Sequence, residues 1–354
     1  MTEPASLLHV EGIAKRYGAV VALRDAALSV RSGEVHALMG ANGAGKSTLV
    51  KILNGAIHPD GGSIAISGQQ RVINSPQAAR AAGIASVYQE PSLIPDLDVR
   101  ANLAITSTPV GAFSTWVKDL GVPDLRLDAM VRDLPLPLLR IIDLARALAV
   151  EPNLLLLDEM TAALPADLTE HVLRVVGEQR AAGRSVLFIS HRLVEVRQIC
   201  DRATVLRDGR TVGVLDMTDG ADEEIVRLML GPVAEELAGA EEAGPAAATT
   251  AGREGPPRLT VSGLRLDPKL HDVAFELRPG EVLGVVALEG QGQDELFEIL
   301  AGDRRPDAGE IAVDGRSVRF RHPADAIAAG LLYVPANRAE ALLMQRSVRE
   351  NIAL

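Results

Sequence analysis

The chain has 354 residues, enough for about two domains, and its net charge of −11 with scattered Lys and Arg argues against nucleic acid as the main ligand. Apolar residues make up 47% of the chain, yet no window approaches the roughly 18 consecutive apolar residues of a membrane span, and the first residues lack a signal-peptide layout. We therefore expect a soluble cytoplasmic protein whose single cysteine, Cys200, packs at the edge of a core and excludes an intrachain disulfide.

The amino-terminal residues predict short strands followed by a glycine loop and a helix. Two β-like runs, Leu7–Val10 and Ala26–Val30, precede a buried-strand pattern at Val35–Met39. Residues 40–47 then read Gly-Ala-Asn-Gly-Ala-Gly-Lys-Ser, and Thr48–Leu53 is apolar at helical spacing. Strand, loop and helix form the context in which the pattern Gly, four residues, Gly-Lys-Ser binds phosphate. A glycine turn that contains Lys-Ser by chance is the alternative, and both flanks argue against it.

The glycine loop predicts contacts to a triphosphate and to magnesium. Glycines let main-chain N–H groups turn inward around phosphate oxygens, and the helix directs its positive end at the same anion. Lys46 is expected to bridge the β- and γ-phosphates, and the Ser47 hydroxyl to ligate Mg²⁺. Tyr17 is expected to stack on a purine ring, with a surface aromatic on a hairpin as the rival interpretation. The residues predicted to bind the nucleotide are Tyr17, Gly40, Ala41, Asn42, Gly43, Ala44, Gly45, Lys46, Ser47 and Thr48.

Later segments of the first half predict alternating strands and helices. A β-like run at Ile64–Ser67 comes first. The apolar runs Leu154–Leu157, Ser185–Ile189 and Ala203–Leu206 are typical of buried strands in a largely parallel sheet. An amphipathic helix is predicted over Thr169–Ala181, between two of these strands.

Four polar side chains at strand ends are candidates for chemistry. Asp158 and Glu159 follow a buried strand directly; Asp158 is expected to hold Mg²⁺ and Glu159 to accept a proton from the attacking water. Gln89 follows another apolar run and is expected to touch metal and water, and His191 is expected to contact the γ-phosphate. A solvated acidic turn and a structural histidine cap are the alternatives. The catalytic candidates are Glu159, His191 and Gln89, and the metal candidates are Ser47, Gln89 and Asp158.

The chain contains an internal duplication. Residues of its first part recur at one constant offset, so that Gly33-Glu34-Val35 returns as Gly280-Glu281-Val282. The other matched positions of the first copy include Gly43, Gly45, Leu49, Ile52, Leu53, Gly55, Pro59, Gly62, Ile64, Gly68, Pro76, Gly83 and Val87. A stretch rich in Ala, Glu, Gly, Pro and Thr separates the copies and is predicted to be a linker. We predict a first domain at 1–232, a linker at 233–257 and a partial, degenerate second domain at 258–354.

The order of these pieces resembles the ATPase of an ABC transporter. An aromatic loop, the glycine loop, Gln89, Asp158-Glu159 and His191 follow one another as in that family, and the resemblance covers the whole chain. More narrowly, the stretch from Asn74 to Pro95 and the degenerate second glycine loop are similar to the tandem ATPase subunits of bacterial simple-sugar importers of the ribose, xylose and galactose type. The resemblance implies an α/β P-loop NTPase of the ABC ATPase type. Its mostly parallel core sheet would carry antiparallel β and helical subdomains, duplicated with an incomplete second copy.

The resemblance also implies an activity and a set of partners. The chain would bind ATP with Mg²⁺ and hydrolyse it as the energy-coupling subunit for import of a simple sugar. Its partners would be membrane permease subunits, indirectly a sugar-binding protein, and a second ATPase copy or a homologous chain, with no nucleic acid. Its place would be cytoplasmic and peripheral, on the inner face of the cell membrane.

The signature of the first copy departs from the family pattern. The family's Leu-Ser-Gly-Gly-Gln matches residues 134–138 here, where the serine has become Pro135 and a small residue has become Pro137. Proline has neither an N–H nor a hydroxyl, and losing one aimed donor typically costs about 3 kcal/mol of transition-state stabilisation. We expect this signature to be inert.

The second glycine loop departs as well. Its lysine and serine positions are Gln293 and Asp294, and Gln89 corresponds to Ala336. A carboxylate aimed at phosphate repels it, so we expect the second site to be defective. In the family each ATP lies between the glycine loop of one copy and the signature of another, so we expect turnover at the first site to need a signature supplied in trans. A nucleotide-binding protein without useful hydrolysis, either truncated or regulatory, is therefore the alternative function. A soluble ABC protein of translation or DNA repair is a third, but no basic patch or long coiled-coil insertion is visible.

Overall fold

The computed structural model describes residues 6–162, 164–190, 192–231, 255–287, 291–335, 341–343 and 345–353. The chain divides into two compact units, Met1–Gly239 and Ala240–Leu354. The division falls inside the predicted linker, of which only 255–257 are described, so the three domain bounds stay a prediction. No helix within the described ranges has the length and apolar character that crossing a membrane requires.

The described residues of the first unit form a sheet with helices on both sides. Its strands are β1 (Ser6–Tyr17), β2 (Val20–Arg31), β3 (Val35–Met39), β4 (Gly61–Ile66), β5 (Gln69–Gln70), β6 (Ile84–Val87), β7 (Leu154–Asp158), β8 (Ser185–Ile189), β9 (Arg202–Arg207) and β10 (Arg210–Asp216). Its helices are α1 (Lys46–Leu53), α2 (Pro76–Ala81), α3 (Val99–Ile105), α4 (Val110–Asp119), α5 (Leu136–Leu148), α6 (Ala166–Ala181), α7 (Leu193–Ile199) and α8 (Ala221–Leu230).

The sheet combines a parallel core with an antiparallel part. Its strand order is β5-β4-β1-β2-β10-β9-β3-β8-β7-β6. Strands β9, β3, β8, β7 and β6 pair in parallel with their neighbours in that order, whereas β2, β1, β4 and β5 pair antiparallel. The predicted α/β fold, with a mostly parallel core and an antiparallel subdomain, is confirmed.

Successive residues of the core strands face two different apolar clusters. Ala37 lies in one cluster and Leu38 in the other, and Leu157 and Leu156 divide in the same way. Since side chains alternate across a strand, the two clusters lie on opposite faces of the sheet. Helices α5 and α6 supply residues to one cluster and α1 to the other. Both faces are covered, which explains the continuous apolar run that ends at Asp158.

The predicted core elements agree closely with the observed ones. Val35–Met39 and Ser185–Ile189 are strands with the predicted bounds, and the predicted helix Thr169–Ala181 starts three residues earlier, directly after Pro165. The runs Leu7–Val10 and Ala26–Val30 are only parts of the 12-residue strands β1 and β2. Both strands are longer than predicted because they pair with each other along their length, a tertiary contact that apolar spacing does not reveal.

A helical segment of α3, α4 and α5 lies between β6 and β7, as the resemblance implied. Asp98 caps α3, since its carboxylate accepts a hydrogen bond of 2.6 Å from the Ala101 N–H. The buried Asn102 side chain accepts from the Ile94 N–H at 2.7 Å and donates to the Ile94 carbonyl at 3.1 Å. Phe113 of α4 is fully buried in the cluster that also contains α5. This segment is therefore packed onto the parallel core.

The described part of the second unit is a small antiparallel sheet with helices. Its strands are β11 (Leu259–Leu266), β12 (Leu270–Leu277), β13 (Ala308–Val313) and β14 (Arg316–Val318), in the order β12-β11-β13-β14. Its helices are α9 (Gln293–Ala301), α10 (Pro323–Ala328) and α11 (Val348–Ala353). A third apolar cluster, centred on Val261, Leu264 and Ile299, joins the sheet to α9.

Two segments of the second unit differ from their counterparts in the first. Residues 281–287 and 331–335 correspond to β3 and β6 but form no strand, and Val282, at 97% exposed, has a counterpart in Val35 that is fully buried. In the first unit β8 and β7 lie between β3 and β6. The described part of the second unit holds no counterpart of those two strands, so these segments have no ladder to join.

Candidate nucleotide site

The glycine loop, residues 40–47, joins β3 to α1. Gly40, Gly43 and Gly45 have φ values of 152°, 83° and 106°, which other residues rarely adopt. A Cβ on Gly40 would lie 2.4 Å from the Leu206 carbonyl oxygen, and one on Gly45 would lie 2.5 Å from a methyl group of Leu23. The loop therefore needs glycine for its conformation and, at two positions, for space.

The Lys46 side chain is hydrogen-bonded to the main chain of its own loop. Its Nζ donates hydrogen bonds to the main-chain carbonyls of Gly40 at 2.7 Å and Ala41 at 3.2 Å. Burial lowers the pKa of Lys46, and the nearby carboxylates of Glu159 and Asp158 oppose that shift. The Lys46 ammonium group is thus held by the loop carbonyls, and two acids at the end of β7 influence its pKa through their charge.

The carboxyl ends of the parallel strands meet at the edge of the sheet where the glycine loop leaves β3. Asp158, the last residue of β7, is in register with Ile189, the last residue of β8. Glu159 follows at once, and Gln89 lies two residues beyond β6 and is exposed. His191, which follows β8 in the sequence, lies outside the described residues, so its predicted role stays a prediction.

Asp158 and Glu159 occupy different environments. Asp158 is buried, and its burial, followed by the charge of Glu159, raises its pKa, while Lys46 and Lys51 act in the opposite direction. Glu159 is half-buried with a φ of 48°, the left-handed region that non-glycine residues rarely adopt. Its N–H donates to the Ile189 carbonyl at 2.9 Å, which ties the turn to β8. Strained backbone of this kind concentrates at functional sites.

Arg140 of α5 supports this turn and was not predicted from the sequence. Its Nη1 donates to the carbonyls of Glu159 and Met160, both at 2.9 Å, and the residue is buried. Burial lowers the pKa of Arg140, and the charge of Glu159 opposes that shift. The sequence does carry a signal, because Arg140 is one charge inside the apolar run 138–142.

A buried carboxylate on α7 forms a second support that sequence reasoning missed. Glu195 accepts hydrogen bonds from Thr161 Oγ1 at 2.6 Å, Ser190 Oγ at 3.3 Å and Arg192 Nη1 at 2.9 Å. These partners lie in the turn after β7 and in the segment after β8. Glu195 therefore connects the two strand ends that flank the site.

The segment that carries Gln89 is tied to α5. The Ser92 N–H donates to Asp143 Oδ2 at 3.2 Å, and Arg146 pairs with the other carboxylate oxygen of Asp143. Burial raises the pKa of Asp143, and burial with the charges of Asp143 and Asp158 raises that of Tyr88. These contacts join the Gln89 segment to the helical segment.

Tyr17 lies in the hairpin beside the loop. It is opposite Val20, its ring is half-exposed, and Lys15 Nζ lies 5.7 Å from the ring centroid. The strand that follows it, β2, reaches the glycine loop at Leu23, next to Gly45. The hairpin therefore carries Tyr17 toward the loop, and its stacking on a purine stays a prediction.

The donors near the loop fit magnesium bound together with phosphates. The exposed Ser47 lies in the first turn of α1, and Asp158 ends β7, which β8 separates from β3 in the sheet. Among described residues, no group of three or more His, Cys, Asp or Glu side chains can hold a metal ion. Mg²⁺ rarely needs such a cage, because it is usually held by one or two carboxylates, waters and substrate phosphates.

The signature stretch begins α5, and the second loop begins α9. Pro135 is the residue before α5, makes no side-chain cap bond, and is followed by the half-exposed Leu136. In the second loop, Gly292 has a φ of 104°, close to that of Gly45. Asp294 lies in the first turn of α9, where Ser47 lies in α1. The described part of the second loop keeps the left-handed glycine before the helix but has Gln293 in place of the lysine. Leu288, Glu289, Gly290 and Ala336 lie outside the described residues.

A glycine loop between a strand and a helix, with carboxylates at the end of another strand of the same parallel core, defines the class of P-loop nucleoside triphosphatases. A family model described as ABC transporter matches residues 23–162 and 270–353, one segment in each copy. The chain belongs to the ABC transporter family, and it is an ATPase of that family. The duplication predicted from the sequence is thereby confirmed.

Curated relatives match the whole chain. A protein of Rhizobium johnstonii named ribose import ATP-binding protein RbsA 1 is 39% identical over 368 residues, which cover 100% of this chain and 70% of that protein. A Burkholderia ambifaria protein named putative ribose/galactose/methyl galactoside import ATP-binding protein 3 is 38% identical, with 99% and 69% covered. The resemblance to the ATPase subunits of simple-sugar importers is confirmed by these relatives.

Solved structures support the fold. The ADP conformation of MJ1267, an ATP-binding cassette of an ABC transporter, is 24% identical with a TM-score of 0.55, covering 66% of this chain and 98% of that one. A structure of cbiO1 from Clostridium perfringens, part of the ABC transporter complex cbiONQ, is also 24% identical, with a TM-score of 0.53 and coverages of 67% and 99%. At this identity the likeness concerns the fold alone.

Proposed function

We propose that this chain is the energy-coupling subunit of an ABC importer for a simple sugar of the ribose or galactose kind. The observation that carries the proposal is the match along the whole chain to proteins named for ribose and galactoside import. The cell-membrane permease, a sugar-binding protein and a second ATPase copy or homologous chain are the proposed partners. The proposed location is the cytoplasmic face of the membrane.

In this proposal the first unit binds the triphosphate of ATP. Main-chain N–H groups of residues 40–47 and the start of α1 surround the phosphates, and Lys46 exchanges its carbonyl partners for phosphate oxygens. Ser47, Asp158 and Gln89 would hold Mg²⁺, which neutralises charge that develops on the phosphates. Tyr17 supports the purine by stacking.

Glu159 is the proposed general base in this site. It follows Asp158 directly at the carboxyl end of β7, and its charge opposes the lowering of the Lys46 pKa by burial. The Arg140 guanidinium holds the Glu159 carbonyl, so the base projects from an anchored turn. His191 is proposed to contact the γ-phosphate.

Turnover needs donors from another signature. Pro135 and Pro137 give the first copy's signature no hydroxyl, and neither has an N–H. We infer that a partner ATPase copy or a homologous chain supplies donors to the γ-phosphate of the first site. The missing donors predict that this chain alone turns over ATP about 10²–10³ times more slowly than a complete pair.

The permease is proposed to dock on the helical segment. A groove of about 310 Å³ lies at its border and is lined by Arg80, Tyr88, Thr106 and Arg146, among others. Arg146 is also part of the link to the Gln89 segment through Asp143. A partner seated in this groove would therefore sense the position of Gln89.

Reconstitution in vesicles with a permease, a sugar-binding protein and the homologous ATPase chain from one importer tests the proposal. We expect sugar-stimulated phosphate release, its loss in Glu159→Gln, and unchanged ATP binding in that variant. Phosphate release that is equal in the wild type and Glu159→Gln would replace the proposal by a nucleotide-binding protein without hydrolysis. An unchanged rate on adding sugar, with hydrolysis intact, would refute coupling to sugar import.

A further inference from the structure

A cleft in the second unit carries four arginines. Its volume is about 470 Å³, and it lies between the end of α9 and strands β13 and β14. Arg304, Arg305, Arg319 and Arg321 line it, and we call it the arginine cleft. This concentration of positive charge stands out in a chain whose net charge is −11.

Three of the four arginines have no ion-pair partner among the residues that the structure describes. Arg304 pairs with Glu298 at 2.9 Å and approaches Glu295 at 3.7 Å, whereas the side chains of Arg305, Arg319 and Arg321 form no ion pair with a described carboxylate. The main-chain N–H of Arg321 donates to Asp325 Oδ2 at 2.8 Å. The one acid in the lining, Asp307, already accepts a hydrogen bond of 2.9 Å from the Asp267 N–H. Like charges gathered in a cleft favour an anion there.

The internal duplication shows that the repeat does not need these arginines. At the constant offset of 247 positions, the counterparts in the first copy are Ile57, His58, Val72 and Asn74. The first copy builds the same turn and strand without any arginine at these positions. The charge is therefore a property of the second copy and not of the fold.

The floor of the cleft is apolar. Ile299, Ile311 and Phe320 line it and are buried to 1%, 6% and 8% relative exposure. Guanidinium groups bind phosphate oxygens in a planar, bidentate manner, and a cleft of this volume can hold an organic group beside a phosphate. We propose that the arginine cleft binds a small soluble phosphate monoester, with the phosphate on the arginines and the organic group on the apolar floor.

Phenyl phosphate is a suitable probe because it combines a dianion with an aromatic ring. Titration calorimetry would use the full chain carrying Lys46→Ala, so that the glycine loop does not contribute phosphate binding. We expect phenyl phosphate to bind more tightly than inorganic phosphate, and phenol to bind much more weakly than either. Arg319→Gln with Arg321→Gln should weaken phenyl phosphate binding about tenfold or more, because charged hydrogen bonds are lost.

Arg316→Gln is the matched control, since Arg316 lies in β14, is exposed and is outside the cleft lining. It should leave the affinity within about twofold, and Arg305→Gln provides a second cleft variant if the double variant melts early. No binding of phenyl phosphate, equal affinity in the double variant, or an equal loss in Arg316→Gln would overturn the proposal. Binding of the protein to phosphatidic acid vesicles without binding of phenyl phosphate would also overturn the proposal, because the phosphate group recognised would then belong to a lipid headgroup.

Discussion

Lys46 shows how the site is prepared before a nucleotide arrives. Its ammonium group is buried and is held by two carbonyls of its own loop, with the carboxylates of Asp158 and Glu159 close enough to act on its pKa. The charge needed for binding is thus positioned in advance.

Arg140 is expected to matter for turnover more than for binding. Arg140→Met removes both hydrogen bonds that Nη1 donates to the turn of Glu159 and Met160, so the turn should relax and the free energy of unfolding should fall by about 1–3 kcal/mol. In the reconstituted importer we expect kcat to fall while ATP affinity changes little, with partial recovery in Arg140→Lys. Equal losses of kcat and ATP affinity would show instead that Arg140 has only a structural role.

The raised pKa of Asp158 predicts a pH-dependent stability. A carboxyl whose pKa is higher in the folded state favours folding at low pH, and this contribution is lost as pH rises through the folded value. Asp158→Asn should therefore stabilise the nucleotide-free protein at neutral pH and have little effect at pH 4, as measured by thermal melting. Asp60 is the control with opposite sign, because its hydrogen bond to Lys15 lowers its pKa and Asp60→Asn should destabilise near neutral pH. Stabilisation by Asp158→Asn that does not vary with pH would contradict this account.

At the scale of elements, the core strands and the glycine loop could be predicted because their local sequence pattern matches the place that they occupy in the folded protein. A strand covered on both faces must be apolar throughout, as Leu154–Leu157 is, and the loop combines glycines with Lys46 and Ser47 in fixed order. The supports of the site could not be predicted in this way. Arg140 acts on a turn 19 residues away, and the contacts of Glu195 depend on how strands pair.

The signature stretch, on which turnover depends, lies at the start of helix α5. Replacing Pro135 by Ser and Pro137 by Gly would restore a hydroxyl and two N–H groups at its start, so one chain could complete the first site of another. We expect phosphate release to rise by about 10² and to increase more steeply than linearly with protein concentration. Pro109→Ser, at the start of α4, is the control and should have no effect. An unchanged rate in the double variant would contradict the role given to these prolines.

At the scale of the whole molecule, the two units have separate apolar cores. The second unit's cluster is smaller, and segments such as 281–287 expose apolar side chains. Scanning calorimetry should therefore show two transitions, with ATP and Mg²⁺ raising only the one that belongs to the first unit. A single transition that shifts as a whole with nucleotide would contradict independent units.

The central claim is that the glycine loop of the first unit binds a nucleoside triphosphate, and titration calorimetry of ATP with Mg²⁺ into the full chain tests it most directly. We expect one ATP per chain in the wild type and at least about tenfold weaker binding in Lys46→Ala, which loses a charged contact to phosphate. Lys118→Ala removes the same charge from an exposed position of α4 and should bind as the wild type does. Wild-type protein that does not bind ATP with Mg²⁺, or Lys46→Ala that binds it equally well, would contradict the account.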